Sequence, residues 1–206
     1  MIGKNVQTDF SAQVSEPSID PSTYVHPLAA VIGNVTLGRN IMVSPMASIR
    51  GDEGQPLFVG DDSNVQDGVI IHALETEVDG IPVENNRCEV GGAHYAVYVG
   101  KRVSLAHQVQ VHGPAVIYDD TFVGMKSLVF KACVGRNCVI EPGVILMGVV
   151  VADNRYVPAG TTVKSQEDAD RLPEITADYP MKDMNKGVVH VNTNLARGYT
   201  KMRDEK

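Results

Sequence analysis

An aliphatic residue recurs at every sixth position through most of this chain, and that period limits the possible folds more than any other feature. Val25, Val31, Leu37, Val43 and Ile49 lie six apart, and Val59, Val65 and Ile71 resume the count. Val99, Leu105, Val111, Ile117, Val123 and Val129 continue it, and Val134, Ile140 and Leu146 follow after a one-residue slip. Gly often follows the aliphatic, as in Leu37-Gly38, Val59-Gly60, Val99-Gly100 and Val123-Gly124. A short strand plus a turn every six residues forms one side of a triangular prism, and eighteen residues complete a coil. One coil cannot bury its own apolar side, whereas stacked coils share a continuous core. The expected fold is therefore all-β, a left-handed parallel β-helix of hexapeptide repeats. A β-sandwich would alternate with period two and turn every 8–12 residues, which matches this spacing poorly.

Two excursions interrupt the count. From Ile49 to Val59 the spacing is ten, which adds four residues within 51–56, and from Ile71 to Val99 it is 28, leaving a 22-residue excursion over 77–98. Both are expected to leave the prism as loops. Beyond residue 164 the period ends; Ser165 with Asp168 resembles a capping box, and a second helix is expected over 183–197. The chain reads as a single domain, 1–206, with the β-helix over about 20–164 and a helical cap over about 165–206. Length alone favours one or two domains.

A net charge of -7 argues against nucleic acid as a partner, since phosphate binding calls for a basic surface. Three scattered cysteines, Cys88, Cys133 and Cys138, argue against a disulfide framework and for a reducing compartment. The N-terminal residues lack the apolar stretch of a secretory signal, and no run of about 18 apolar residues occurs, so a cytoplasmic location without a membrane span is expected.

Subtracting the excursions turns the sequence into a map of columns. His72 and His112 differ by 40, and removing 22 leaves 18, so they stack on adjacent coils about 4.8 Å apart in backbone. Two imidazoles at that separation can share one metal ion. Arg50 lies 22 before His72 with four extra residues between, so it joins the same column. His107 falls on a different side of the prism, in one column with Asp67. If three prisms pack about a threefold axis, His107 of one copy can face His72 and His112 of the next, and Asp67 can face Arg50 as an ion pair between subunits. Three neutral imidazoles around an open position form the ligand set of a hydrolytic zinc site. His26, His94 and His190 show no such register.

Three stretches, SPMASIRGDEG at 44–54, SNVQDGVIIHALE at 63–75 and SLAHQVQVHGPA at 104–115, resemble the gamma-class carbonic anhydrases and the amino-terminal domain of their carboxysomal scaffold relatives. The resemblance spans nearly the whole chain. It implies a homotrimeric carbonate dehydratase, a lyase that interconverts CO2 and bicarbonate through a metal-bound hydroxide at the subunit interface. His72, His112 and a neighbour's His107 would bind Zn2+, with Fe2+ or Co2+ as further candidates. By the same resemblance, Gln66 would hydrogen-bond the hydroxide, Asn64 would orient Gln66, and Asn192 would help to place CO2. Arg50 and Asp67 would pair across the interface, and Glu53 and Glu75 would carry protons to solvent. The chain departs from the family in having fewer acids after Glu75 and a His at 190 where a Tyr is expected. Two alternatives stay open on the fold alone: a CoA-dependent acyltransferase with a histidine base, and a non-catalytic scaffold of the same architecture.

Overall fold

Each hexapeptide places its central aliphatic inside the prism. Val31, Val43, Ile49, Val65, Ile71, Val99, Leu105, Val111, Ile117, Val123 and Val129 are all fully buried in the computed structural model, which describes residues 1–205. Only Val25, near the open end, is partly exposed. The strands between these residues stack into three all-parallel sheets of eight, seven and seven strands that form the faces of a left-handed solenoid. The first sheet contains Ser48–Gly51, Ile70–His72, Gln110–His112 and Leu128–Phe130. The second contains Val35–Leu37, Leu57–Val59, Val97–Val99 and Ala115–Ile117. The third contains Met42–Val43, Asn64–Val65, Ser104–Leu105 and Phe122–Val123. One apolar core runs from Ala29 to Leu172 along the axis.

Neither excursion disturbs the register. Ile49 pairs with Ile71 across the short one, and Ile71 with Val111 and Leu57 with Val97 across the long one. The long excursion is more ordered than the expected loop. It folds as two hairpins, Glu77–Val78 with Ile81–Pro82 and Cys88–Val90 with Ala93–Tyr95. Asp79-Gly80 and Gly91-Gly92 supply the turns, all four with positive φ, the combination that a two-residue hairpin requires. The second hairpin covers the second sheet, where the Tyr95 and Tyr98 rings lie 5.2 Å apart and Tyr98 stacks on Phe58.

The solenoid also begins earlier than residue 20. Ile2 pairs with Val31, and Ser18–Ile19 with Thr36–Leu37. Between these strands residues 5–15 form a loop tied by Asn5, whose amide donates to the Ser11 hydroxyl at 2.9 Å and to the Gln13 carbonyl at 3.0 Å.

At the other end, Ser165 caps helix α1 (Gln166–Asp170) by accepting from the Asp168 N–H at 3.2 Å. Helix α2 spans Met184–Asp204 and so continues seven residues past the expected end. Contacts with the solenoid stabilise that extension: Tyr199 stacks on Tyr24 at 4.9 Å, and Arg203 donates to the Pro21 carbonyl at 2.9 Å. Helix α2 lies along the third sheet. The hairpin and α2 thus shield the middle of the second face and the third face, whereas Ile70 and Met147 on the outward side of the first sheet remain 42% and 38% exposed, as does Val150 near the end of the second, at 54%. Among the described residues no helix is long and apolar enough to cross a membrane.

Candidate metal centre

The inward aliphatics fix which way their neighbours point, since successive residues on a strand face opposite sides. Ile71 and Val111 point in, so His72 and His112 point out from the first sheet, directly paired in register. Their rings lie 5.5 Å apart between centroids and nearly perpendicular. Arg50 follows in the same column, because Ile49 pairs with Ile71. His112 Nδ1 meets the Gly113 carbonyl at 3.2 Å, which favours the tautomer that leaves Nε2 free as a ligand atom. Burial, with His72 beside it, lowers the pKa of His112 and so favours the neutral ring.

The short excursion folds back over this column. Glu53 is almost fully buried, and its carboxylate touches His72 Nε2; Asp52 lies 3.4 Å from the same nitrogen. Burial raises the Glu53 pKa, while the His72 contact opposes that shift. Asp52 also holds Arg50 at 3.0 Å. Asp52 Oδ1 and Glu53 Oε2 are buried without a hydrogen-bond partner beside His72 Nε2, a convergence of ligand atoms that suits a divalent cation. Ligand atoms of Asp52, Glu53 and His72 all lie within 4.8 Å of one another.

A cavity of about 470 Å³ opens beside these residues, lined by Glu53, His72, Glu75 and His112 together with Phe10 and Val78. Glu75 is exposed at its rim, and its carbonyl accepts from the Asn86 amide at 2.8 Å. Five of the residues expected at the site, Arg50, Glu53, His72, Glu75 and His112, therefore meet in one chain. The others lie elsewhere. Asn64 and Gln66 are buried on the third sheet, where Gln66 donates to Asn64 at 2.9 Å and Asn64 donates to the Ser104 hydroxyl at 2.9 Å. This relay leaves the Gln66 carbonyl oxygen available to accept. His107 stands half-exposed at the edge between the third and first sheets, 3.1 Å from Asp67 in its own column. Within one chain Arg50 pairs with Asp52, and Asp67 with His107. Asn192 is buried on α2, and its amide donates to the Val188 carbonyl at 2.9 Å.

Sequence reasoning missed Asp52, Ser104, Asp9 and Phe10. Ser104 was within its reach, since it shares a column with Asn64 once 22 is subtracted. Asp52 carried only its position beside Glu53. Asp9 and Phe10, which also line the cavity, belong to a loop outside the six-residue period and left no signal.

No protein-family model matches the chain. A hexapeptide transferase family protein from Anaplasma phagocytophilum superposes with a TM-score of 0.56 at 20% identity, covering 90% of this chain and 93% of that one. That likeness speaks to the fold alone. The carboxysome assembly protein CcmM of Nostoc is 38% identical over 97% of this chain, which spans only 34% of that longer protein. A carbonic anhydrase of Methanosarcina thermophila is 58% identical over 96% of this chain and 81% of its own length. Relatedness at that level and coverage goes beyond a shared architecture, and this chain belongs to the gamma-class carbonic anhydrase family.

Proposed function

We propose that the protein is a homotrimeric, metal-dependent carbonic anhydrase whose reaction centre forms between subunits. The observation that carries this reading is the stacked pair His72 and His112, aimed outward from the first face with one ring nitrogen each to offer. The bare apolar side of that face and the exposed His107 edge are complementary features of one chain, and a threefold arrangement would bring the edge of one copy against the face of the next. His72 and His112 of one copy and His107 of a neighbour would then hold the ion, with Zn2+, Fe2+ and Co2+ all compatible with three imidazoles.

A bound divalent ion lowers the pKa of water from about 15.7 to about 7, making hydroxide available at neutral pH. The chain's own residues do the rest. Gln66, held by one N–H to Asn64, has its side-chain carbonyl oxygen free and so would accept the O–H hydrogen and help to direct the lone pair at carbon. Phe10, Leu74 and Val78 supply an apolar wall suited to CO2, a role in which Asn192 would join from α2. Glu53 would take the released proton beside His72 and pass it to Glu75 at the rim, where solvent collects it. Arg50 and Asp67 would exchange their internal partners for one another across the interface.

Complementation tests the shared centre. His72→Ala and His107→Ala should each abolish CO2 hydration. Mixed, unfolded and refolded together in equal amounts, they should recover about a quarter of wild-type activity, since every hybrid trimer rebuilds one centre of three. Mixtures as dead as their parents would sink the reading. Acetyl transfer from acetyl-CoA without metal would favour the acyltransferase alternative.

A further inference from the structure

A second cavity, of about 380 Å³, lies between the first turns of α2 and the edge where the second and third sheets meet. Arg102, Asp120, Lys182, Asn185, Lys186 and His190 line it. None of them belongs to the metal centre. Three cations line the cavity with one carboxylate, Asp120, and a second, Asp183, pairs with Lys186 beside it, in a chain whose net charge is -7. Among the described residues Lys182 makes no ion pair, and its ammonium reaches only the Ala177 carbonyl. Arg102 and Lys186 hold Asp120 and Asp183 through exposed pairs, the kind that contribute little and rearrange readily. At the N-terminus of α2 the first N–H groups have no side-chain cap, since Asp183 at the cap position makes no capping bond.

Asn185 is the independent observation. It is only 8% exposed, and its amide nitrogen donates to the Arg102 carbonyl at 2.7 Å. A backbone carbonyl can only accept, so this bond fixes which end of the amide is which. The Oδ1 atom is then buried without a partner, an unfavourable state that an arriving donor would relieve. A ligand for this cavity must therefore bring negative charge for the cations and a hydrogen-bond donor for Asn185.

We infer that this cavity binds a small hydroxylated oxyanion, one that carries an O–H beside its charge. Hydrogen phosphate and bicarbonate share that chemistry, and the volume falls within the range of small-molecule sites. Sulfate has the charge and shape but no O–H at neutral pH.

Calorimetric titration of the metal-loaded protein at constant ionic strength separates these cases. Inorganic phosphate should bind saturably, and sulfate about tenfold more weakly for want of the bond to Asn185. Bicarbonate binding as tightly as phosphate would identify the reaction's own product as the ligand, and weaker bicarbonate binding would identify a phosphate compound. The double variant Lys182→Ala/Lys186→Ala alters exposed side chains far from His72 and His112. It should fold, hydrate CO2 at the wild-type rate, and lose at least about tenfold in phosphate affinity. Sulfate binding as tightly as phosphate, wild-type phosphate affinity in the double variant, or no saturable binding of any of the three anions would overturn the assignment.

Discussion

Two edges of this prism use the same backbone and opposite chemistry. Where the second sheet turns into the third, Asn40, Asp62, Arg102, Asp120, Asn137 and Asn154 all have positive φ; where the third turns into the first, Met46, Gln108 and Lys126 do. Left-handed conformations are costly for residues with a side chain, so the tight coil must impose them at both edges. The side chains then diverge. On the first edge the N–H groups of Arg39, Lys101 and Arg136 donate to Asp61, Asp119 and Asp153 on the next coil, at 2.9, 2.9 and 2.6 Å. Asn40 reaches Asp62 at 3.1 Å, and Asn137 reaches Asn154 at 2.8 Å. That edge is a ladder closed within one chain. The other, which carries His107, leaves Leu28 64%, Met46 68% and Met125 44% exposed along its length. The coil dictates the backbone of both edges, and only the open one has side chains that call for a partner.

Met46→Glu should break this contrast most forcefully. A carboxylate in place of an exposed Met costs an isolated chain little. Buried unpaired between subunits it costs about 3 kcal/mol, on the order of 100-fold in association. Light scattering after size exclusion should show the proposed trimer giving way to single chains, with CO2 hydration falling in parallel. An intact, fully active trimer would mean that the open edge is not the interface.

A smaller effect is expected on the closed edge from Asp61→Asn. Asp61 accepts from the Arg39 backbone and pairs with its guanidinium at 2.9 Å, and these bonds hold its pKa below the ordinary 3.8. Asn keeps a neutral acceptor but loses the charge, which should lower stability by about 1 kcal/mol with trimer and activity unchanged. The sign of the pH dependence follows from the lowered value. The carboxylate's contribution is complete above the ordinary pKa and is lost as pH falls through the folded one. Denaturant melts should therefore show the variant less stable than wild type at pH 7, with the gap closing in acid. A gap constant with pH would remove Asp61's charge from the account.

The same divide between coil and side chain explains what the sequence could reveal. Buried aliphatics fix the register, so counting in eighteens was enough to stack His72 on His112, to set Arg50 beside them and to separate His107 with Asp67. Residues off the coil escaped that count. Phe10 reaches the cavity through a loop held by the Asn5 amide and by the Ala12 N–H, which donates to Glu77 at 2.8 Å, and no periodic pattern encodes such contacts. Helix α2 was only partly legible because its pattern is inverted: Asn185, Asn192 and Thr193 are buried while Val191 and Leu195 are exposed. Periodicity reads such a helix with its inner face outward.

Arg136→Gln should have the smallest effect, and it separates the two kinds of bond in the closed ladder. The Arg136 guanidinium lies 4.9 Å over the Tyr118 ring, while its backbone N–H donates to Asp153. Gln removes the first contact and keeps the second. A cation over an exposed aromatic ring contributes about 0.5–1 kcal/mol, so the melting temperature should fall only slightly, and less than in Asp61→Asn. Added salt should not enlarge the difference, since screening weakens the contact already in wild type. If Arg136→Gln instead cost as much as Asp61→Asn, the ladder would owe its strength to surface cations. The carboxylate-to-backbone bonds that repeat from coil to coil would then be incidental to why this edge can stand without a partner.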